Sequence, residues 1–242
     1  MGMAIDSAGN LYVGAEDTIQ RFTPSGVGSA FVSSGLQGAF GLAFDSRGNL
    51  YVANTYGNNI KKVTPSGAVS TFATGLNHPM GLAFDRAGNL FVSNYDGQNI
   101  EKFTPDGVGY IFATSGLNYP WGLAFDTVGN LYVANFWGNN IERFTPQGVG
   151  SVFARAFGSS GSVRELAFDG AGNLYATDYA RNGIDKFTPA GEFTAFIGTG
   201  SNPDSLVLQV IPEPSASALL AWGVSVVLVL RRKAMIPKHD GL

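Results

Sequence analysis

Apolar residues in this chain fall into short runs of four to six positions, set apart by polar breaks at near-even intervals. In one stretch the runs cover residues 41–45, 49–54, 59–64 and 68–73. The breaks between them are Ser46-Arg47-Gly48, Thr55-Tyr56-Gly57-Asn58 and Pro65-Ser66-Gly67. Each break carries a Gly where a tight turn wants positive φ, so the pattern predicts four strands in a meander. Pro65 directly follows the third run, where it costs no ladder bond. No window before residue 214 shows the apolar period of a helix.

The unit recurs. Gly41-Leu42-Ala43-Phe44-Asp45 returns as Gly81-Leu82-Ala83-Phe84-Asp85 and Gly122-Leu123-Ala124-Phe125-Asp126, with weaker copies at Gly2-Met3-Ala4-Ile5-Asp6 and Glu165-Leu166-Ala167-Phe168-Asp169. Thr-Pro marks the same phase at Thr23, Thr64, Thr104, Thr145 and Thr188. A period near 40 residues, held five times, signals a repeat architecture. Within each copy the first two runs are almost wholly apolar. The third carries charge, as in Lys61-Lys62, Glu101-Lys102, Glu142-Arg143 and Asp185-Lys186. A strand covered on both faces reads as a continuous apolar run, and a half-exposed one admits charge. The gradient predicts an all-β protein: a β-propeller of four-stranded antiparallel blades, apolar at the hub and ionic at the rim.

The fullest copy runs from Pro79 through Gly88-Asn89-Leu90-Phe91-Val92-Ser93-Asn94 to Thr104-Pro105-Asp106-Gly107, and resembles an NHL-type propeller repeat. The resemblance spans about 200 residues and implies a fold rather than an activity. Met1-Gly2-Met3-Ala4-Ile5-Asp6 aligns with 80–85, and Pro203-Asp204-Ser205-Leu206-Val207-Leu208 with 79–84. Five complete repeats plus one further first strand predict a chain that opens inside a repeat of a six-bladed or larger ring. A ring complete at five blades is the alternative.

Composition narrows the classes. Gly is 33 of 242 residues, about twice ordinary usage. The net charge of −3 excludes a global basic field and with it a nucleic-acid partner. Zero Cys excludes disulfides and thiolate sites. Residues 1–210 carry 11 basic and 16 acidic groups, whereas the tail is basic through Arg231, Arg232, Lys233 and Lys238.

That tail divides the chain: residues 1–209 as propeller, 210–215 as a Pro-Glu-Pro linker, 216–233 as a transmembrane or sorting helix with a basic cluster, and 234–242 as a short end. Residues 216–230 hold no charge and, as a helix, span only about 22 Å against roughly 30 Å of hydrocarbon. The basic triplet would stay cytoplasmic and leave the propeller outside. Pro212, Glu213 and Pro214, then the apolar run, then Arg231 and Arg232, resemble a PEP-CTERM sorting signal. The resemblance implies a bacterial exported protein, handled by an exosortase-type enzyme and held at the membrane or cell surface or released to the extracellular matrix. The first ten residues show no signal peptide.

In such a meander the 1–2 and 3–4 turns share one end of the sheet and are nearly uniform between copies. The 2–3 turns and the inter-blade links share the other end, and there the copies differ. Diverse aromatic turns on a rigid frame point to recognition. The candidate ligand-binding face is Tyr56, His78, Tyr95, Trp121, Phe136, Trp137 and Tyr179; wedging between blades is the competing reading. The repeated Asp45, Asp85 and Asp126 suit turn caps better than calcium, which wants six to eight oxygens. Gluconolactonase-like propellers are similar and imply metal ligands just before the Gly of a first strand. The matching positions here are Phe40, Met80, Trp121, Arg164 and Asp204. Glu165, Asp178 and Asp204 are therefore the alternative catalytic set, with Arg164 and Arg181 as ion-pair partners in the competing reading. No metal site or cofactor is otherwise implied. The expectation is a non-catalytic, envelope-associated scaffold presenting an aromatic face to exopolysaccharide or protein. A metal-dependent lactonase-like hydrolase is the alternative.

Overall fold

The computed structural model describes residues 2–155, 163–199, 203, 205–211, 221–222 and 225–231. Five four-stranded antiparallel sheets follow one another in chain order. Blade I comprises Met3–Ile5, Leu11–Ala15, Thr18–Phe22 and Gly28–Val32. Blade II comprises Ala39–Phe44, Leu50–Asn54, Asn59–Val63 and Val69–Thr74. Blade III comprises Pro79–Phe84, Leu90–Asn94, Asn99–Phe103 and Gly109–Ala113. Blade IV comprises Pro120–Phe125, Leu131–Asn135, Asn140–Phe144 and Gly150–Arg155. Blade V comprises Val163–Phe168, Leu174–Asp178, Gly183–Phe187 and Phe193–Gly198. First strands pack on first strands from blade to blade, which makes the ensemble a β-propeller. Ser205–Ile211 packs against the first strands of both blade V and blade I and takes a sixth place around the axis.

The hub is built backbone against backbone. A Cβ placed on Gly41 would lie 2.0 Å from the Met80 carbonyl oxygen, on Gly81 2.2 Å from that of Trp121, and on Gly122 2.3 Å from that of Arg164. Real Cβ atoms do not approach so closely, so the recurrent Gly is a spacing requirement of the ring. In blade V the position is Glu165, whose neighbour around the axis is Ser205–Ile211. Pairing of first and second strands slips by one residue at the same place in four blades: between Ala39 and Leu42, Pro79 and Leu82, Pro120 and Leu123, and Val163 and Leu166. The slip is a β-bulge, and a bulge re-aims a side chain out of the ladder.

Burial refines the expected gradient. The second strands, not the first, are buried at every position in blades II to V. They have a sheet neighbour on each side and a blade on each face, whereas the ends of the first strands open toward the axis. Nor is the rim ionic. Charge sits on the third strands, and the outermost strands expose Tyr110, Ile111, Val152 and Phe193. Adjacent blades are joined by aromatic triads. Tyr51 meets Phe72 and Phe84 edge-on at 4.9 and 5.0 Å, and Phe91 meets Phe112 and Phe125 at 5.0 Å each. Tyr12 and Tyr132 repeat the arrangement. Such edge-to-face pairs contribute about 0.5–1.5 kcal/mol beyond the area they bury.

The repeated Asp caps its own turn. Asp85 Oδ1 accepts from the backbone N–H groups of Ala87 and Asn89 at 2.9 Å, and Oδ2 accepts from Asn89 Nδ2 at 2.7 Å. Lys102 Nζ adds an ion pair at 3.4 Å. Burial alone would raise the carboxyls of Asp6, Asp85 and Asp169, but these hydrogen bonds outweigh it and hold all three below the ordinary Asp range.

Ser225–Arg231 is a strand, paired parallel with Ser205–Ile211, and Ala221–Trp222 folds back antiparallel on it. Ser-Val-Val-Leu-Val-Leu is rich in β-branched residues, and among the described residues Ser205–Ile211 pairs with this strand alone. Among the described residues no helix is long and apolar enough to cross a membrane. Pro212, Glu213, Pro214, Arg232, Asp204 and residues 232–242 lie outside the described residues.

Two outcomes follow from the hub and the turns. Gly81→Ala should force blades III and IV apart and lower the melting temperature by about 10 °C. Gly170→Ala, at a turn with nothing within 4 Å, should leave it nearly unchanged; equal melting of the two variants would refute the spacing role. The depressed Asp carboxyls add stability above the titration of unfolded Asp, near pH 3.9, and lose it as pH falls through their lower folded values. Thermal stability should therefore drop as the pH falls below about 4, and Asp85→Asn should cost about 2 kcal/mol at neutral pH while flattening that drop.

Candidate functional site

The four bulges put Phe40, Met80, Trp121 and Arg164 at the hub, at the end of the blades where the 2–3 turns and the inter-blade links meet. The links are tied to those turns. Tyr56 N–H donates to Gln37 O, Tyr95 N–H to His78 O and Phe136 N–H to Tyr119 O, at 3.0 to 3.2 Å. The recurrent Asn54, Asn94 and Asn135, each 1% exposed, accept from the backbone N–H of Gln37, Asn77 and Asn118 and so pin the links from below. Turn and link residues consequently face one another across the tops of blades II, III and IV.

The aromatic side chains there form one connected cluster around Trp121. Its ring lies 5.2 Å from Phe136, 5.6 Å from Tyr95 and 6.4 Å from Phe40. Tyr95 meets Tyr119 at 4.8 Å with the rings tilted by 55°, and Trp137 Nε1–H donates to the Tyr95 hydroxyl at 3.0 Å. Burial pushes the Tyr95 phenol above its ordinary range despite the Trp137 hydrogen bond that opposes the shift, so it stays neutral. Tyr56 touches Phe40 at 5.8 Å and His78 at 5.7 Å. The cluster is buried at its root and open at its crest: Phe136 is 9% exposed, Tyr56 64% and Trp137 50%. The structure therefore brings Tyr56, His78, Tyr95, Trp121, Phe136 and Trp137 together. Tyr179 joins through Arg164, whose guanidinium lies 3.7 Å from its ring centroid, 4.9 Å from Trp121 and 5.3 Å from Phe136. The triads of Tyr51, Phe72 and Phe84 and their repeats also fill the spaces between blades, and the cluster itself reaches from blade II to blade IV through Phe40, Tyr95 and Trp121.

Asp96 and Tyr119, outside the candidate face named from the sequence, belong here as well. His78 Nδ1 is hydrogen-bonded to Asp96 Oδ2. Tyr119 stands with φ 53° and His78 with φ 55°, both left-handed, where blade II has Gly38 at φ 76°. A bulky residue in that region costs of order 1–3 kcal/mol, and the side chains of both His78 and Tyr119 reach the cluster. The signal was present as Gly38, His78 and Tyr119 in one repeat phase, and only the backbone reveals what that phase demands.

Of the alternative carboxylates, Glu165 and Asp178 lie among the described residues. Asp178 is 1% exposed, and burial raises its carboxyl against the opposing contacts from Arg181. Arg181 Nη1 lies 3.8 Å from Asp178 Oδ2 and 3.2 Å from Asp185 Oδ1. Asp185 is equally buried, so this is an enclosed ion-pair cluster rather than a solvated one. Glu165 N–H donates to Thr177 Oγ1 at 2.9 Å, and its carboxylate reaches back toward Gly122. Among the described residues no three His, Cys, Asp or Glu side chains are gathered to hold a metal ion.

No family model matches the chain, and no curated protein matches it. Solved structures do match. Virginiamycin B lyase from Staphylococcus aureus superposes with TM-score 0.70 at 17% identity, covering 84% of this chain and 72% of that one. A structure of the nidogen/laminin complex gives 0.73 at 24% identity, covering 83% and 80%. A gluconolactonase from Xanthomonas campestris gives 0.72 at 18% identity, covering 82% and 75%. At these identities the likeness is one of fold, and the fold this chain shares with them is the β-propeller.

Proposed function

We propose that this protein is a non-catalytic binding scaffold that presents the Trp121 cluster to a glycan or protein of the cell envelope. The observation that carries the reading is the cluster itself: one continuous aromatic surface, fixed by backbone hydrogen bonds and open through Tyr56 and Trp137. Flat rings stack on sugar faces, or receive peptide side chains, at low entropic cost. Similar folds include enzymes as well as a component of a nidogen/laminin complex, so the fold accommodates either class. Of the carboxylates that a lactonase would need, Asp178 lies beside Arg181.

Localisation belongs to the same reading. The order Pro212-Glu213-Pro214, apolar run, Arg231-Arg232-Lys233 supports export and handling by an exosortase-type enzyme. A segment that pairs as a strand beside Ser205–Ile211 would have to become helical in lipid, where every backbone polar group needs a partner within the segment.

Trp121→Ala and Trp137→Ala should each weaken retention on envelope polysaccharide by about tenfold, measured by affinity electrophoresis with melting temperature as the control. Unchanged retention, or metal-dependent lactone turnover that Glu165→Gln abolishes, would overturn the scaffold reading. Replacing Pro212-Glu213-Pro214 with alanines should leave a tagged chain unprocessed in a host with an exosortase; normal processing would remove the sorting proposal.

A further inference from the structure

At the opposite end of the blades, a cavity of about 240 Å³ lies between blades II and III. Its floor is the aromatic triad of that interface, Tyr51, Phe72 and Phe84, together with Leu90. Its rim is the two Asp-x-x-Gly-Asn turns and the Thr104-Pro105 turn. Three cations line it: Arg47, Lys62 and Arg86. Two carboxylates line it as well, but both are already engaged. Asp45 accepts from Arg47 N–H, Asn49 N–H and Asn49 Nδ2, and Asp85 accepts from its own turn and pairs with Lys102. Among the described residues no carboxylate lies within ion-pair distance of Arg47, Lys62 or Arg86; Lys62 Nζ rests 5.4 Å over the Tyr51 ring.

The repeat makes the placement specific. The matching turn positions elsewhere are Ser7-Ala8, Thr127-Val128 and Gly170-Ala171, none of them basic. Basic turn residues therefore occur in the two neighbouring blades that flank this cavity, on a chain whose first 210 residues are net acidic. A purely structural role does not call for that, because the uncharged turns cap themselves with the same Asp and Asn bonds.

We propose that this cavity is a second binding site, for a compact anion bearing a flat apolar group. The volume holds one ring and its charged substituent, since a dry cavity of about 150 Å³ takes benzene. The ring would lie on the aromatic floor. The carboxylate or phosphate would meet the Arg47 and Arg86 guanidinium groups, whose fork geometry suits either anion. The site lies at the other end of the blades from the Trp121 cluster and stands independently of it.

The test is calorimetric titration of the full chain with phenyl phosphate and with benzoate. Benzyl alcohol and inorganic phosphate serve as half-ligands. At least one aromatic anion should bind saturably, at least about tenfold tighter than either half-ligand, and weaken as salt rises. The tighter of the two assigns the charge the site prefers. The double variant Arg47→Gln, Arg86→Gln, at exposed turn positions, should keep the wild-type melting temperature and lose at least about tenfold in affinity. Trp121→Ala should not change it. Absence of saturable binding by both anions, affinity unchanged in the double variant, or loss on Trp121→Ala would each overturn the assignment.

Discussion

The contact on which this molecule depends is a peptide carbonyl resting against a glycine Cα. Around the hub, the residue before each first-strand Gly turns its carbonyl toward the Gly of the preceding blade, closely enough that a methyl group would not fit. Blades can then converge on the axis without side chains between them. The consequences spread outward. First strands that meet backbone to backbone cannot also fill the space between sheets, so that task passes to the second-strand Tyr or Phe and its two edge-on partners. The one-residue slip in the first pairing lets a strand serve both neighbours, holding its ladder while presenting a carbonyl sideways.

The same slip creates the candidate site. A bulged residue is released from the in-and-out alternation of the strand, and four of them, Phe40, Met80, Trp121 and Arg164, are released toward one end of the hub. Links that pass over them are pinned by buried Asn side chains, which fixes the height at which Tyr56, Tyr95 and Phe136 stand. Left-handed His78 and Tyr119 complete the arrangement at a conformational cost that the ladder on either side sustains. Arg164 contributes differently from a solvent-facing cation. Its guanidinium lies against Trp121, Phe136 and Tyr179, so it extends the aromatic surface while carrying charge.

The architecture was legible because a forty-residue period repeats every local signal five times, and the antiparallel meander leaves little choice of topology. Turn-capping by Asp was legible for the same reason. Less was readable where meaning depends on a neighbouring blade. Gly41, Gly81 and Gly122 read as strand starts, and nothing in the string says that each faces a carbonyl 40 residues on. The polarity gradient suggested that the first strand is the most buried, but only assembly shows that the second has cover on every side. Asn54 read as a local turn device, while its partner Gln37 belongs to the link before its own blade. The 225–231 run suits a lipid helix by composition, and its pairing beside Ser205–Ile211 is not written in the string.

Because the bulged position contributes only its carbonyl to the ring, what hangs from its Cα is of no concern to the wheel. Phenyl, thioether, indole and guanidinium occupy that position in successive blades without disturbing the spacing. The propeller thus behaves as a chassis with interchangeable fittings. New preferences can be acquired one spoke at a time by exchanging a single side chain, with the geometry underwritten elsewhere.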